Sequence, residues 1–523
     1  MNRSFVKRLV FGLVFVSIIF LTGYGEENAD AVSDITTQEL ALGKKHLPET
    51  RTATQLAEGV SYTEISRGYV SDEAHYTVEA GFFNTRDEAK NLAGDLKEHG
   101  YQAKVEKLKH QNRKYTDVDD KVIGYIVQIG TFAQEQKAEE LAAQAVGDGY
   151  EDTNVTYSEF DGTAATTGPW RLNVIEINPE QFQGEMTNVL AHDEIQARET
   201  VSSMAGRSEA IAGINGGYFV VGAKDGIPGD PAGIFMTDGQ LVSEAIGERT
   251  SLLLANNEID LAEVSTELRV ETEDGTSALI DGINREAGKI RSCGGVGDTP
   301  ANQPMHDVTC TDSSEIIQYD THFGEKTPAG EGFEVVVEES GKVTATHEQR
   351  GHSIPEKSTI LAATGKQASW LRDAVSREDE LILTEEVIKD GRPLEKLSGL
   401  DIIGGGPQLL SSGSIEIQAK EEGFRWSKDF YYSFAESRHP RSLVGIKENG
   451  NILLVTADGR SPEESIGLSF YESAQVLQSL GAVEGMNLDG GGSTSMTVGE
   501  EIVNQPSDPA GERPVSDGIF LLK

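Results

Sequence analysis

Cysteine, tryptophan and positive charge are what this 523-residue chain has least of: 2 Cys, 3 Trp, and 45 Lys+Arg against 86 Asp+Glu. Two cysteines cannot knit a small disulfide scaffold, and without a CxxC pair they lack the usual spacing of a structural zinc site. The formal net charge of −41 at pH 7 repels phosphate backbones and anionic lipid, which excludes a nucleic-acid partner and a basic peripheral membrane protein. No GxSxG elbow occurs, no lysine follows a glycine cluster as in a P-loop, and no GxGxxG opens a helix. Proline (16) is far outnumbered by glycine (57), while 37% hydrophobic residues keep the chain clear of disorder. At ~150 residues per domain the length predicts two to four domains. Such acidity also suits solubility in high salt or alkaline surroundings.

The N-terminus reads as an export signal over residues 1–31. Arg3, Lys7 and Arg8 give a positive start, Leu9 to Leu21 supply thirteen mostly apolar residues, and Ala29-Asp30-Ala31 places small residues where a signal peptidase cuts. That run is shorter than the ~20 residues a spanning helix needs, with an uncleaved anchor as the alternative. Leu21-Thr22-Gly23 resembles the start of a lipidation box, but Tyr24 stands where the acylated cysteine belongs. The protein is therefore expected to be secreted or associated with the cell wall or envelope, with a flexible segment over 32–46. An oxidising compartment permits a Cys293–Cys310 disulfide, worth ~3 kcal/mol in the chain-entropy model; two free thiols are the alternative.

Sliding the chain against itself by 49 residues aligns Tyr76 with Tyr125, Gly81 with Gly130, Phe83 with Phe132, Leu92 with Leu141 and Gly100 with Gly149. Each copy alternates as a strand, turns, continues at helical spacing and closes on a second strand, so two copies predict βαββαβ, an antiparallel sheet with two helices on one face. Tyr76-Thr-Val-Glu-Ala-Gly-Phe-Phe83 and Tyr125-Ile-Val-Gln-Ile-Gly-Thr-Phe132 resemble the repeats of the SPOR (sporulation-related) domain. That resemblance, over 72–161, implies binding to peptidoglycan glycan strands, a targeting role.

Three apolar runs end in glycines: Ala210 to Gly217, Leu400 to Gly406, and Met486 to Thr494. A buried strand running into a glycine loop brings bare N–H groups close to a ligand, and the shared pattern points to one pocket. Between the last two clusters, Arg438-His439-Pro440-Arg441 opens a strand, Asn449-Gly450 reads as a two-residue hairpin turn, and Asp458-Gly459-Arg460 follows the return strand. That turn sets Arg441 opposite Asp458 as a cross-strand pair. In so acidic a chain, arginines gathered beside glycine loops suggest a phosphate clamp. Ser469-Phe-Tyr-Glu472 is a capping box for a core helix that Gly481 stops. His347 and His352 look like a zincin pair but stand five apart, off one helix face.

Ala212-Gly-Ile-Asn215-Gly216-Gly217-Tyr-Phe219, Ile403 to Leu409, Arg438-His-Pro-Arg-Ser442, Thr456-Ala-Asp-Gly-Arg460, Asn487-Leu-Asp489-Gly490-Gly491-Gly492-Ser493-Thr494 and Glu512-Arg513-Pro-Val-Ser-Asp517 resemble the phosphodiester glycosidase family, in family order. The resemblance implies an exported, wall-targeted hydrolase that cleaves a sugar-1-phosphodiester at the glycosidic C–O bond. The expected fold is α+β, a strand-rich catalytic domain with a Gly-loop pocket plus the small SPOR-like domain. Its first strand lies in 47–71, the SPOR-like unit is inserted at 72–161, and 162–523 completes the catalytic domain. Arg438, Arg441, Arg460 and Arg513 are assigned to the phosphate. Asn215, Gly216, Gly217, Gly490, Gly491, Gly492, Ser493 and Thr494 are assigned to other substrate contacts, and His439 to proton transfer. Asp489 is the first candidate for base or nucleophile, with Asp458 and Asp517 behind it. The sequence names no cofactor and leaves a divalent cation open, with the three aspartates as its ligands. Alternatives are a non-catalytic glycan-binding protein and a metal-dependent phosphodiesterase that cuts P–O.

Overall fold

The computed structural model describes residues 39–291, 298–305 and 308–523. The expected export signal, the segment 32–38 and Cys293 lie outside the described residues; Cys310 is disulfide-bonded and buried. Among the described residues no helix is long and apolar enough to cross a membrane. Residues 39–46 are packed rather than flexible: Leu40 and Leu42 are 1% and 0% exposed, and Arg67 donates to the Leu42 carbonyl at 2.9 Å. Their apolar side chains join the core around Trp170, and that burial fixes a stretch expected to be flexible.

A fully antiparallel eight-stranded sheet positions the site. Its order is Glu49–Ala57, Val60–Arg67, Trp170–Ile177, Ile452–Ala457, Arg441–Lys447, Ala482–Asn487, Gln408–Ser411 and Ser414–Ile415. The central strands are apolar almost without break because both their faces are buried. Leu443, Leu453 and Val455 enter one core, and Val444, Ile452 and Leu454 enter another. Helix Phe470–Ser479 packs on the first of these cores, and its Ser469–Glu472 capping box is formed. A second sheet runs Glu501–Ile502, Met496–Val498, Ala212–Asn215, Asp517–Leu522 and Glu185–Leu190, bringing two of the glycine clusters and the C-terminus together.

Residues 68–169 interrupt the first sheet between neighbouring strands, since Val60 pairs with Ile177 and Arg67 with Trp170. Within this stretch the strands Tyr76–Phe83, Ala103–Leu108, Gly124–Phe132 and Asn154–Tyr157 form a separate antiparallel sheet, with helices Arg86–Glu98 and Glu135–Gly147 on one face. The unit is welded to the rest of the chain by its middle loop. His110 meets Glu436 at 2.5 Å, Tyr115 stacks on Tyr471 at 5.7 Å, and Asp117 accepts from the Lys420 and Glu421 N–H groups at 2.7 and 2.8 Å. Leu108, Val118, Ile123 and Ile126 share a core with Trp170 and Leu443.

Candidate active site

The strands Arg441–Lys447 and Ala482–Asn487 run antiparallel, with Leu443 opposite Asn487, so the start of one and the end of the other meet at a single edge. There Arg441 and Asp489 line a pocket of about 340 Å³ with Tyr218, Phe424, His439, Arg460 and Arg513. The backbone of Gly490 to Gly492 forms its lip. Beside it, Tyr432–Glu436 forms a single π-helical turn. Such a turn leaves carbonyls unclaimed by the helix ladder, and the site uses them. His439 Nε2–H donates to the Ser433 carbonyl at 2.7 Å, and Arg441 Nη2 donates to the Phe434 carbonyl at 2.6 Å.

Arg441 has no carboxylate partner among the described residues; its remaining bonds go to the Leu468 and Ser437 carbonyls, and its guanidinium lies 4.4 Å from the Phe470 ring. Burial pulls its pKa down to about 10, which leaves it charged at neutral pH. A buried cation without a counter-ion is costly, and an incoming anion would relieve that cost. Arg460, at a left-handed φ of 60°, reaches back toward the same space, its Nη2 3.5 Å from His439 Nδ1. Burial and then the neighbouring Arg513 lower its pKa. Arg513 is anchored by Asp508 at 2.8 Å. Side chains at 491 or 492 would press on Arg460 and Arg513 respectively, so glycine there lets both guanidinium groups lie against the loop.

Burial raises the Asp489 carboxyl from 3.8 to about 7, against the pull of the Ser493 hydroxyl, Arg513 and the Gly490 N–H, which donates to it at 2.9 Å. His439 moves the other way. Burial, then Arg441 and Arg460, push it down to about 3, so the imidazole is neutral. With the Nε2 proton given to Ser433, its Nδ1 lone pair faces Arg460 and can accept a proton but has none to give. The arrangement offers fixed cations for a phosphate and one carboxyl group poised near neutrality.

Several expected contacts lie elsewhere. Arg438 is 1% exposed and clamps Glu472 at 2.7 Å and the Glu159, Asp161 and Ala164 carbonyls at 2.6 to 2.8 Å. It locks the exit of the inserted unit and has no donor left for a phosphate. Arg441 faces Ala457, not Asp458. The hairpin closes through three residues, Glu448-Asn449-Gly450, with Gly450 at φ 83°, and a one-residue slip reverses every facing pair. Asp458 is buried on Asn504 and the Gln505 N–H, at 3.2 and 2.9 Å. Asp517 accepts from the Gly217 N–H and the Ser516 hydroxyl, both at 2.8 Å, behind the pocket. Burial raises both carboxyls to about 6. Asn215 donates to the Asp489 carbonyl at 2.8 Å and accepts from Ser442 and Ser495, so it holds the loop. Thr494, 1% exposed, lies under that loop. Gly216 and Gly217 pack against Asp517 and Gly404, and Gly405 against Met486; only the third glycine cluster bares its backbone to the pocket.

Tyr218, Phe424, Phe430 and Phe434 form an aromatic wall, with rings 430 and 434 stacked at 5.2 Å, and sequence reasoning missed it. The density of aromatics between 424 and 434 was a usable signal. Among the described residues no three His, Cys, Asp or Glu side chains are placed to hold a metal ion, and Asp458, Asp489 and Asp517 point into different networks. His347 lies on a strand, with its ring stacked 3.7 Å from that of His352.

The family model of the phosphodiester glycosidases matches residues 331–522. The mouse N-acetylglucosamine-1-phosphodiester alpha-N-acetylglucosaminidase is 32% identical over 140 residues, and its human counterpart 30% identical over 165. The matched segments span 26% and 30% of those two enzymes and 25% and 30% of this chain. A crystal structure of a Burkholderia pseudomallei protein, whose name marks it as a candidate for export, superposes with a TM-score of 0.84 at 31% identity, covering 93% of this chain and 99% of that one. Residues 331–522 thus match the phosphodiester glycosidase family, and the likeness to the Burkholderia protein runs over almost the whole chain.

Proposed function

We propose that the protein hydrolyses a sugar-1-phosphodiester, with water adding hydroxyl to the anomeric carbon and a proton to the phosphate, giving free sugar and a phosphomonoester. The observation that carries this reading is the convergence of Arg441, Arg460 and Arg513 on a pocket floored by Asp489. An ordinary glycosidase needs an acid for its poor leaving group. A departing phosphate needs none, and this site has cations where that acid would stand. Asp489, when ionised, serves as base toward water or as nucleophile; His439 orients Arg460 rather than acting as an acid. The aromatic wall suits the apolar face of a sugar ring. The names of the mammalian relatives suggest an N-acetylglucosamine-1-phosphodiester as the first substrate to try.

An exported location is supported by the N-terminal pattern and by the name of the Burkholderia relative. Binding of peptidoglycan glycan through the 72–161 unit is supported by its SPOR-like repeats. Release of free sugar from a panel of sugar-1-phosphodiesters tests the activity. In oxygen-18 water the label should enter the sugar; label in the phosphate would mean P–O cleavage and refute the reading.

A further inference from the structure

The aromatic wall does not end where the pocket ends. Trp426, Phe430 and Phe434 recur at every fourth residue through the N-cap Ser427, the helix Lys428–Tyr431 and the π-turn that continues it, so they fall in one stripe. Phe430 and Phe434 line the pocket, and Trp426 lies one step beyond them. The rings form a row: Trp426 stacks on Phe430 at 4.8 Å, Phe430 on Phe434 at 5.2 Å, and Phe434 on Phe424 at 5.4 Å. Exposure rises along it. Phe424 is buried, Phe434 and Phe430 are half-buried, and Trp426 is 38% exposed. The Arg441 guanidinium lies 5.7 Å from the Phe434 ring, so the cations stand beside the inner part of the row and Trp426 marks its outer end.

Trp426 is held in place although it is exposed. Its neighbours Arg425 and Lys428 both pair with Asp120 from the middle loop of the inserted unit, Lys428 at 3.5 Å. The Ser427 hydroxyl accepts from the Phe430 N–H at 3.2 Å, which fixes the turn between the two stacked rings. Among the described residues no second ring covers Trp426, so its side away from Phe430 is open. A large flat ring already fixed in place loses little freedom when a ligand stacks on it. Continuous with a pocket wall, it is a binding surface rather than a scattered apolar residue. The cations flanking it are tied to a carboxylate, which favours an uncharged partner with an apolar face.

We propose that Trp426 is an outer sugar subsite of the pocket, and that the substrate is the 1-phosphodiester of a neutral oligosaccharide, released in one piece rather than sugar by sugar. This rests on the reading of the pocket as a sugar-phosphodiester site. The phosphate lies at Arg441 and Arg460, the sugar that carries the scissile bond lies against Phe434 and Phe430, and the next sugar toward the non-reducing end stacks on Trp426. Water breaks the C–O bond at the anomeric carbon of the inner sugar. Its oxygen stays on that carbon, its proton goes to the departing phosphate, and the bond between the two sugars is untouched.

The test uses the full chain and two substrates, the methyl phosphodiester of a single N-acetylhexosamine and that of the corresponding disaccharide, each joined through its anomeric carbon. Expected is a kcat/KM at least fivefold higher for the disaccharide, with the disaccharide released whole as read by mass spectrometry. Trp426→Ala should bring that ratio toward one, and Trp426→Tyr, which keeps a ring, should retain most of it. Fluorescence reads the subsite without turnover. The chain has 3 Trp, and the emission lost in Trp426→Ala belongs to the exposed ring. The phosphate-free disaccharide should lower acrylamide quenching of that emission at least twofold. Equal and measurable kcat/KM for the two substrates, a preference that survives Trp426→Ala, or no protection from quenching overturns the subsite. Protection with neither diester cleaved keeps the subsite and refutes the hydrolase reading instead.

Discussion

Replacing Asp489 by asparagine separates two consequences of one buried carboxyl. The group is raised from 3.8 to about 7, which corresponds to ~4 kcal/mol. Because the side chain opens onto the pocket, solvent screening reduces this to about 2 kcal/mol. The folded state holds the proton more tightly than the unfolded chain, so the carboxyl costs nothing below pH 4. Its cost grows as pH rises toward 7 and is constant above that. Asp489→Asn removes the cost. The variant should be about 2 kcal/mol more stable than the parent at pH 8, with the gap closing by pH 4, as read from urea midpoints at unchanged slope. Its kcat should fall by about 10² to 10⁴, the range of a lost acid–base group. In the parent, kcat/KM should rise with pH and level off above about pH 7, because the ionised form is the active one. A stability gap that is equal at pH 4 and pH 8, or a kcat within tenfold of the parent in a folded variant, would refute this reasoning.

Arg460→Ala and Arg441→Lys should each lower kcat/KM by about 10- to 100-fold, an effect of the order of a lost charge-assisted hydrogen bond. Steady-state kinetics with a methyl sugar-1-phosphodiester reads it, and unchanged values would remove these residues from the phosphate. Arg438→Met should instead destabilise the fold by about 3–5 kcal/mol by stranding Glu472 in the core, with much of the loss restored by adding Glu472→Leu. The His439 ring should show no titration between pH 5 and 8 by NMR, since it is pushed down to about 3. The net charge of −41 opposes an anionic substrate at long range, so moderate salt should lower the apparent KM; a steady rise from low salt would count against it.

The helix after Ser469 and the repeat at 72–161 were legible because their signals are local: a capping box, an alternating strand, a glycine stop. Arg441, Arg460 and Asp489 were legible as a group because they stand out chemically in an acidic chain. What misled was long-range pairing. Nothing near Arg438 announces that three carbonyls from 159 to 164 will fill its donors, so its sequence neighbours made it look like a ligand for phosphate. The Asp458 expectation failed on a single residue of register, since Glu448-Asn449-Gly450 and Asn449-Gly450 are both good turns. The π-turn carbonyls that orient His439 and Arg441 left no trace in residue type.

The Arg438 clamp also ties the pocket to the inserted unit. Its carbonyl cradle exists only after the inserted unit has folded and its exit strand has turned back, and the two residues that flank it in the motif, His439 and Arg441, belong to the pocket. Asn215 must likewise find the Asp489 loop across 274 residues of chain. The pocket thus exists only when segments far apart in the chain have met, and a chain caught half-made or half-unfolded carries all the reacting groups yet remains silent.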